Sequence, residues 1–230
     1  MKQDTIVIFD YGSQYTRLIS RRLRELNIFC DLVSPNIDKS FFKDRNIKGF
    51  ILSGGPNSVF DKNSPKFPNW IKNLNLPILG ICYGMQLLAN EFKGKVEKTD
   101  KREYGKAELT INSNSLIFKN IPKKNNVWMS HGDKIIDLPD NFKIIAETKN
   151  SYCAAFEKNN ILGVQFHPEV DNTKYGNQIL SNFALEICKT SDKWTTKNFI
   201  ETSINNIKEL PELPETEQEL VNIGNFFDLS

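Results

Sequence analysis

Histidine is nearly absent from this chain. His131 and His167 are the only two in 230 residues, so any chemistry that needs an imidazole base has two positions to choose from. Cysteine is sparse too. Cys30, Cys82, Cys153 and Cys188 lie far apart with no CxxC spacing, which argues against a zinc site or a disulfide framework and for a reducing, cytoplasmic setting. Neither sign of charge dominates. The 30 Lys and Arg against 28 Asp and Glu leave a net charge of +2 with no basic stripe, so nucleic acid is not an expected partner. Long hydrophobic runs are missing as well. The longest apolar region, Pro77 to Ala89, is broken by Gly80, Gly84 and Gln86 and is too short to span a membrane. The start, MKQDTIVIFDYG, has an apolar run far too short for a signal-peptide core. Internal repeats and low-complexity tracts are also lacking. What is present is an ordinary globular balance, 39% apolar and 25% charged, with enough length for a substantial core.

Short apolar strands alternate with amphipathic stretches. Thr5–Asp10, Ile28–Val33, Gly49–Ser53 and Pro77–Ile81 read as buried strands. Gln14–Asn27 reads as a helix with Leu18, Ile19, Leu23 and Leu26 on one face, and Gly84–Phe92 as a second. This alternation predicts an open, mostly parallel sheet with helices on both faces. From about Val96 the spacing changes. Segments near Ala107–Ile111, Val127–Met129, Lys143–Thr148, Cys153–Phe156 and Leu162–Phe166 read as later strands and a small β excursion, closed by a helix over Gly176–Cys188. Thr196–Leu210 reads as a further helix stopped by Pro211, and residues 211–230 carry five acidic residues and no Lys or Arg.

The most informative stretch is Gly80-Ile81-Cys82-Tyr83-Gly84-Met85-Gln86. It sets a cysteine between a strand and the first turn of a helix. A sharp turn there lifts the side chain above the sheet, and the positive end of the helix dipole favours a thiolate. By itself the pattern is equally compatible with an inert core cysteine.

A cysteine nucleophile needs a base, and the base needs an acceptor to orient it. The strand over Gly163–Phe166 ends in His167-Pro168-Glu169, which offers both. His131 competes as base. It lies in Ser130-His131-Gly132-Asp133, which reads as a polar loop with no acceptor placed beside it, and is expected to form a wall of the site. The loop Ser53-Gly54-Gly55-Pro56-Asn57-Ser58 follows another strand. Its backbone N–H groups suit an oxyanion, although a plain tight turn has the same composition. A phosphate cradle fits less well. The Gly-Lys-Ser/Thr ending of a P-loop is missing, Asn57 stands where an ATP pyrophosphatase loop has aspartate, and Pro56 removes a donor.

Ser53–Pro56, Gly80–Gln86 and His167–Glu169 together resemble the class I glutamine amidotransferase pattern of SGGP, then G-x-C-x-G-x-Q, then a strand ending H-P-E. The resemblance covers most of the first 190 residues. It implies a seven-stranded, flavodoxin-like α/β core and hydrolysis of L-glutamine by a Cys82–His167–Glu169 triad. It further implies an oxyanion hole from the backbone N–H groups of Gly55 and Tyr83, and substrate contacts from Gly54, Gln86, Ser130 and Asp133. Within that family, Asp10–Thr16 followed by Arg21 and Arg22, Cys82–Gln86 and Met129–Asp133 are most similar to the GMP synthetase branch.

That branch implies a partner, an ATP pyrophosphatase subunit, which would use the ammonia to aminate xanthosine monophosphate. ATP and Mg²⁺ are expected only on that partner, with no cofactor and no metal in this chain. The expected organisation is an amidotransferase domain over 1–190, then a helical linker and acidic tail over 191–230, with the pyrophosphatase domain absent. A glutaminase serving another synthase, or a catalytically silent regulatory module of the same fold, are the alternative readings.

Overall fold

The computed structural model describes residues 2–195; the predicted tail helix and acidic segment lie outside the described residues. The first strand, β1 (Gln3–Phe9), is followed by α1 (Thr16–Glu25), β2 (Cys30–Val33), β3 (Arg45–Leu52), β4 (Ile78–Ile81) and α2 (Tyr83–Glu91). Two long strands, β5 (Lys95–Ile111) and β6 (Lys124–Asp137), precede β7 (Lys143–Glu147), β8 (Ala155–Lys158) and β9 (Ile161–Val164). The chain then enters α3 (Gly176–Ser181), which runs on as a π-helical turn over Asn182–Ile187.

The strands join one sheet in the order β2-β1-β3-β4-β9-β8-β7-β5-β6. The five from β2 to β9 are parallel neighbours, and every pairing from β9 to β6 is antiparallel. The sheet is therefore mixed, not mostly parallel, and has nine strands among the described residues rather than seven.

Burial explains the division. β1 is continuously buried over Ile6–Phe9 and β4 over its whole length, as strands covered on both faces must be. Successive side chains point to opposite faces. Ile6, Ile8, Ile51 and Leu79 accordingly face Ile19 and Leu23 of α1 and Ile179 and Leu180 of α3 in one core layer. Val7, Phe9, Phe50 and Leu52 join Met85 and Leu88 of α2 in the other. β6 alternates buried and half-buried residues instead, the mark of a strand with one covered face.

α1 ends where Asn27 takes a left-handed φ of 59° and the Ile28 amide donates to the Leu23 carbonyl at 3.0 Å, both apolar side chains entering the same layer. The β5–β6 hairpin is far longer than its apolar fragments suggest. Its first half, KVEKTDKREYGK, carries almost no apolar signal, and cross-strand pairing holds it on either side of residues 99–102. As a result Ser130–Asp133 lie inside β6 rather than in a loop. The pairing also slips here: Lys98 opposes Asp133 and Glu103 opposes His131, so the register is irregular opposite Gly132.

The turn from β4 into α2 is packed closely against backbone. A Cβ on Gly84 would sit 2.2 Å from the Leu52 carbonyl oxygen, and one on Gly80 would sit 2.6 Å from the Gly84 backbone. Gly84→Ala must push β3 and α2 apart, and we expect it to cost at least about 1–3 kcal/mol. A urea-unfolding midpoint equal to that of the unsubstituted chain would refute this packing.

Candidate active site

A cleft of about 910 Å³ opens beyond the carboxyl ends of β1, β3, β4 and β9, where an open α/β sheet leaves its crevice. Cys82 is the single residue between β4 and α2 and has φ 52° and ψ −106°. A non-glycine residue holds such angles only where its neighbours impose them. Here the Cys82 amide donates to the Val164 carbonyl at 2.8 Å, the Gly84 amide to Ser53 at 3.1 Å, and the Gln86 amide back to Cys82 at 3.1 Å. The thiol lies 3.5 Å from the Ser130 carbonyl oxygen and shares the cleft with His167, close enough for its charge to act on the imidazole.

His167 and Glu169 are both buried. His167 Nδ1 donates to Glu169 Oε1 at 2.8 Å, which turns the other ring nitrogen to the thiol. Burial is the largest influence on this imidazole and disfavours its charged form. Hydrogen bonds to Cys82 and Glu169, together with their charges, outweigh it and hold the histidine well above its usual pKa. The backbone around the pair is pinned. The His167 amide donates to Trp128 at 3.0 Å, Thr173 Oγ1 donates to the His167 carbonyl at 2.6 Å, and Arg22 Nε donates to the Glu169 carbonyl at 3.3 Å. The Tyr15 ring meets His167 edge-on at 5.2 Å.

His131 does have acceptors, one from β5 and one from its own strand. Its Nε2 lies 3.3 Å from Glu103 Oε2 and its Nδ1 2.9 Å from the Asp133 carbonyl. Both ring nitrogens are thus turned to partners other than the thiol.

The cleft brings Cys82 and His167 together with Gly55, Tyr83, Gln86, Ser130 and Asp133. Glu169 stands behind the His167 ring. Gly54 also lies off the cleft wall, with its Cβ position 3.0 Å from His167 Cε1. Gly55 presses against Tyr11, whose carbonyl oxygen lies 2.6 Å from the position a Cβ would take. Gln86 is buried and turns its amide to protein: Nε2 donates to the Asp133 carbonyl at 3.0 Å and to Gln165 Oε1 at 3.3 Å.

Several contributors have no local signature. Ser53 Oγ accepts from the Tyr11 amide at 3.0 Å and from Thr16 Oγ1 at 3.2 Å, tying the Gly-rich loop to the Asp10–Thr16 segment. Ser58 Oγ donates to Asp133 Oδ2 at 2.5 Å. Lys98 is the only Lys or Arg lining the cleft among the described residues, and its Nζ lies 3.9 Å from Asp61. The repeated Ser and Asp of these polar loops were the available signal, but their partners lie across the sheet.

The family profile for class-I glutamine amidotransferase matches residues 7–187. A GMP synthase [glutamine-hydrolyzing] of Brachyspira hyodysenteriae is 47% identical over 208 residues, covering 90% of this chain and 40% of the relative. That of Thermomicrobium roseum is 45% identical over 206 residues, 90% and 39% respectively. The chain thus spans about two fifths of the length of these curated relatives. A solved structure from Thermoplasma acidophilum, provisionally described as one subunit of GMP synthase, superposes with a TM-score of 0.71 at 32% identity, covering 88% of this chain and 98% of that one. With the profile covering nearly all of the sheet and the Thermoplasma protein matched almost end to end, the chain belongs to the class-I glutamine amidotransferase family.

Proposed function

We propose that this chain hydrolyses L-glutamine to glutamate and ammonia. The observation that carries the reading is the convergence of Cys82 and Glu169 on one buried imidazole, His167. Cys82 thiolate adds to the side-chain amide carbon, and the oxyanion meets the backbone N–H groups of Gly55 and Tyr83. His167 gives its proton to the departing nitrogen, so ammonia leaves and a γ-glutamyl thioester remains. Water then adds to the thioester, with His167 taking its proton, and glutamate leaves as the thiolate reforms. Asp133 and Ser130 hold the α-amino end of the substrate. Gln86, whose amide grips the Asp133 carbonyl, places that end rather than touching it.

The ammonia passes to an ATP pyrophosphatase subunit that aminates xanthosine monophosphate to GMP. Support comes from the names of the similar proteins, one of which is described as a separate subunit of GMP synthase. ATP and Mg²⁺ belong to that partner, and this chain works without cofactor or metal. The four cysteines, none in a disulfide, suit a cytoplasmic setting.

Two outcomes test the chemistry. Cys82→Ala should lower glutamine turnover by roughly 10³-fold or more in the presence of a pyrophosphatase subunit, and should abolish glutamine-protectable labelling by 6-diazo-5-oxo-norleucine. Retention of full activity, or labelling of Cys30, Cys153 or Cys188 instead, would sink the mechanism. The second is a pH profile. Glu169 raises the His167 pKa through a hydrogen bond and through its charge; Glu169→Gln removes the charge and leaves a neutral amide oxygen as a weaker acceptor. The alkaline limb of kcat/KM, where the imidazolium is lost, should therefore move to lower pH. An alkaline limb that stays in place would dissociate Glu169 from the base.

A further inference from the structure

We propose that Ser58 is a positioning residue that aims the Asp133 carboxylate at the α-ammonium group of the substrate and binds the oxyanion loop to that recognition. The inference rests on the glutaminase reading above. Ser58 is held on every polar atom. Its amide donates to Asp61 Oδ2 at 2.8 Å, its carbonyl accepts from the Asp61 amide at 3.0 Å, and its hydroxyl oxygen accepts from the Phe60 amide at 3.3 Å. With the hydroxyl lone pair engaged, its one proton is committed to Asp133 Oδ2 at 2.5 Å.

Asp133 is fixed from its other side as well. Its backbone carbonyl accepts from Gln86 Nε2 at 3.0 Å and from His131 Nδ1 at 2.9 Å. Carbonyl and carboxylate are thus both set before a ligand arrives, which leaves Oδ1, without a hydrogen-bond partner among the described residues, to meet an ammonium group. A carboxylate already oriented loses little freedom on binding, so more of its charge-assisted hydrogen bond appears as affinity. Ser58 also lies three residues beyond Gly55 in the same loop, and both line the cleft. The contact that recognises the amino end is therefore built into the segment offered to the oxyanion.

The test separates this role from mere support of the loop. Cys82 alkylation by iodoacetamide is followed by mass spectrometry on the full chain, with glutamine or glutaramate as protecting ligand. Glutaramate is glutamine without its α-amino group. Ser58→Ala should weaken protection by glutamine about tenfold and leave protection by glutaramate within about twofold, with Ser58→Thr restoring the difference. Equal losses for both ligands would mean that Ser58 only holds the loop, and no loss for either would remove it from recognition. Both results overturn the proposal. If glutamine fails to protect Cys82 in the unsubstituted chain, the glutaminase reading falls first and this inference falls with it.

Discussion

One backbone turn governs this site. At Cys82 the chain reverses from a strand into a helix through a positive φ, a conformation that costs an L-residue on the order of 1–3 kcal/mol. The strain persists because the core around it gives no alternative. The amides of Cys82, Gly84 and Gln86 are each held by a carbonyl, and Gly80 and Gly84 are packed against backbone. A looser turn would drop the thiol into the sheet, swing the Tyr83 amide away and tilt Gln86 off Asp133. In the proposed reaction, nucleophile, oxyanion donor and substrate end share one geometric origin.

The imidazole beside that turn is a balance of opposed effects. Burial alone would keep it neutral, and its two partners pull it the other way. Among the described residues, Glu169 Oε2 has no hydrogen-bond partner, so the hydrogen bonding of this buried carboxylate is directed at His167 alone. Such an acceptor orients a ring only if its own backbone does not move. Arg22 provides this from α1: it donates to the Glu169 carbonyl and bridges to Asp171 and Glu25, fastening the turn after β9 to the helix after β1. The Asp10–Thr16 segment and α1 thus act on the chemistry through support, with Tyr15 against the ring and Ser53 tied to Tyr11 and Thr16.

The sequence made the parallel half of the fold legible because its signals are local. Strands near Thr5, Gly49 and Pro77 are continuous apolar runs, and the Gly-x-Cys-x-Gly turn is written in consecutive residues. The antiparallel half was not legible in the same way. β5 is held extended by pairing with a strand some thirty residues later, and its charged residues carry no period. The same non-locality hid the Glu103 acceptor for His131 and the tie from Ser58 to Asp133. It also made Ser130–Asp133 read as a loop, because Ser, Gly and Asp are turn residues by composition.

That misreading points to how the recognition end is built. In a regular strand only every second side chain faces a given side, yet Ser130, His131, Gly132 and Asp133 all line the cleft. Ser130 meets the thiol through its backbone carbonyl, and Gly132 has no side chain to place. The regular pairing of β6 with β5 also lapses at Gly132, where Lys98 opposes Asp133 and Glu103 opposes His131. The antiparallel strand can therefore offer the cleft a carbonyl for the thiol, a paired imidazole and a carboxylate from four consecutive positions. In the proposed reaction the chemistry belongs to the parallel strand ends and the recognition to the β5–β6 hairpin. Gln86, one helical turn beyond Cys82 and bonded to the Asp133 carbonyl, is the side chain through which each half fixes the position of the other.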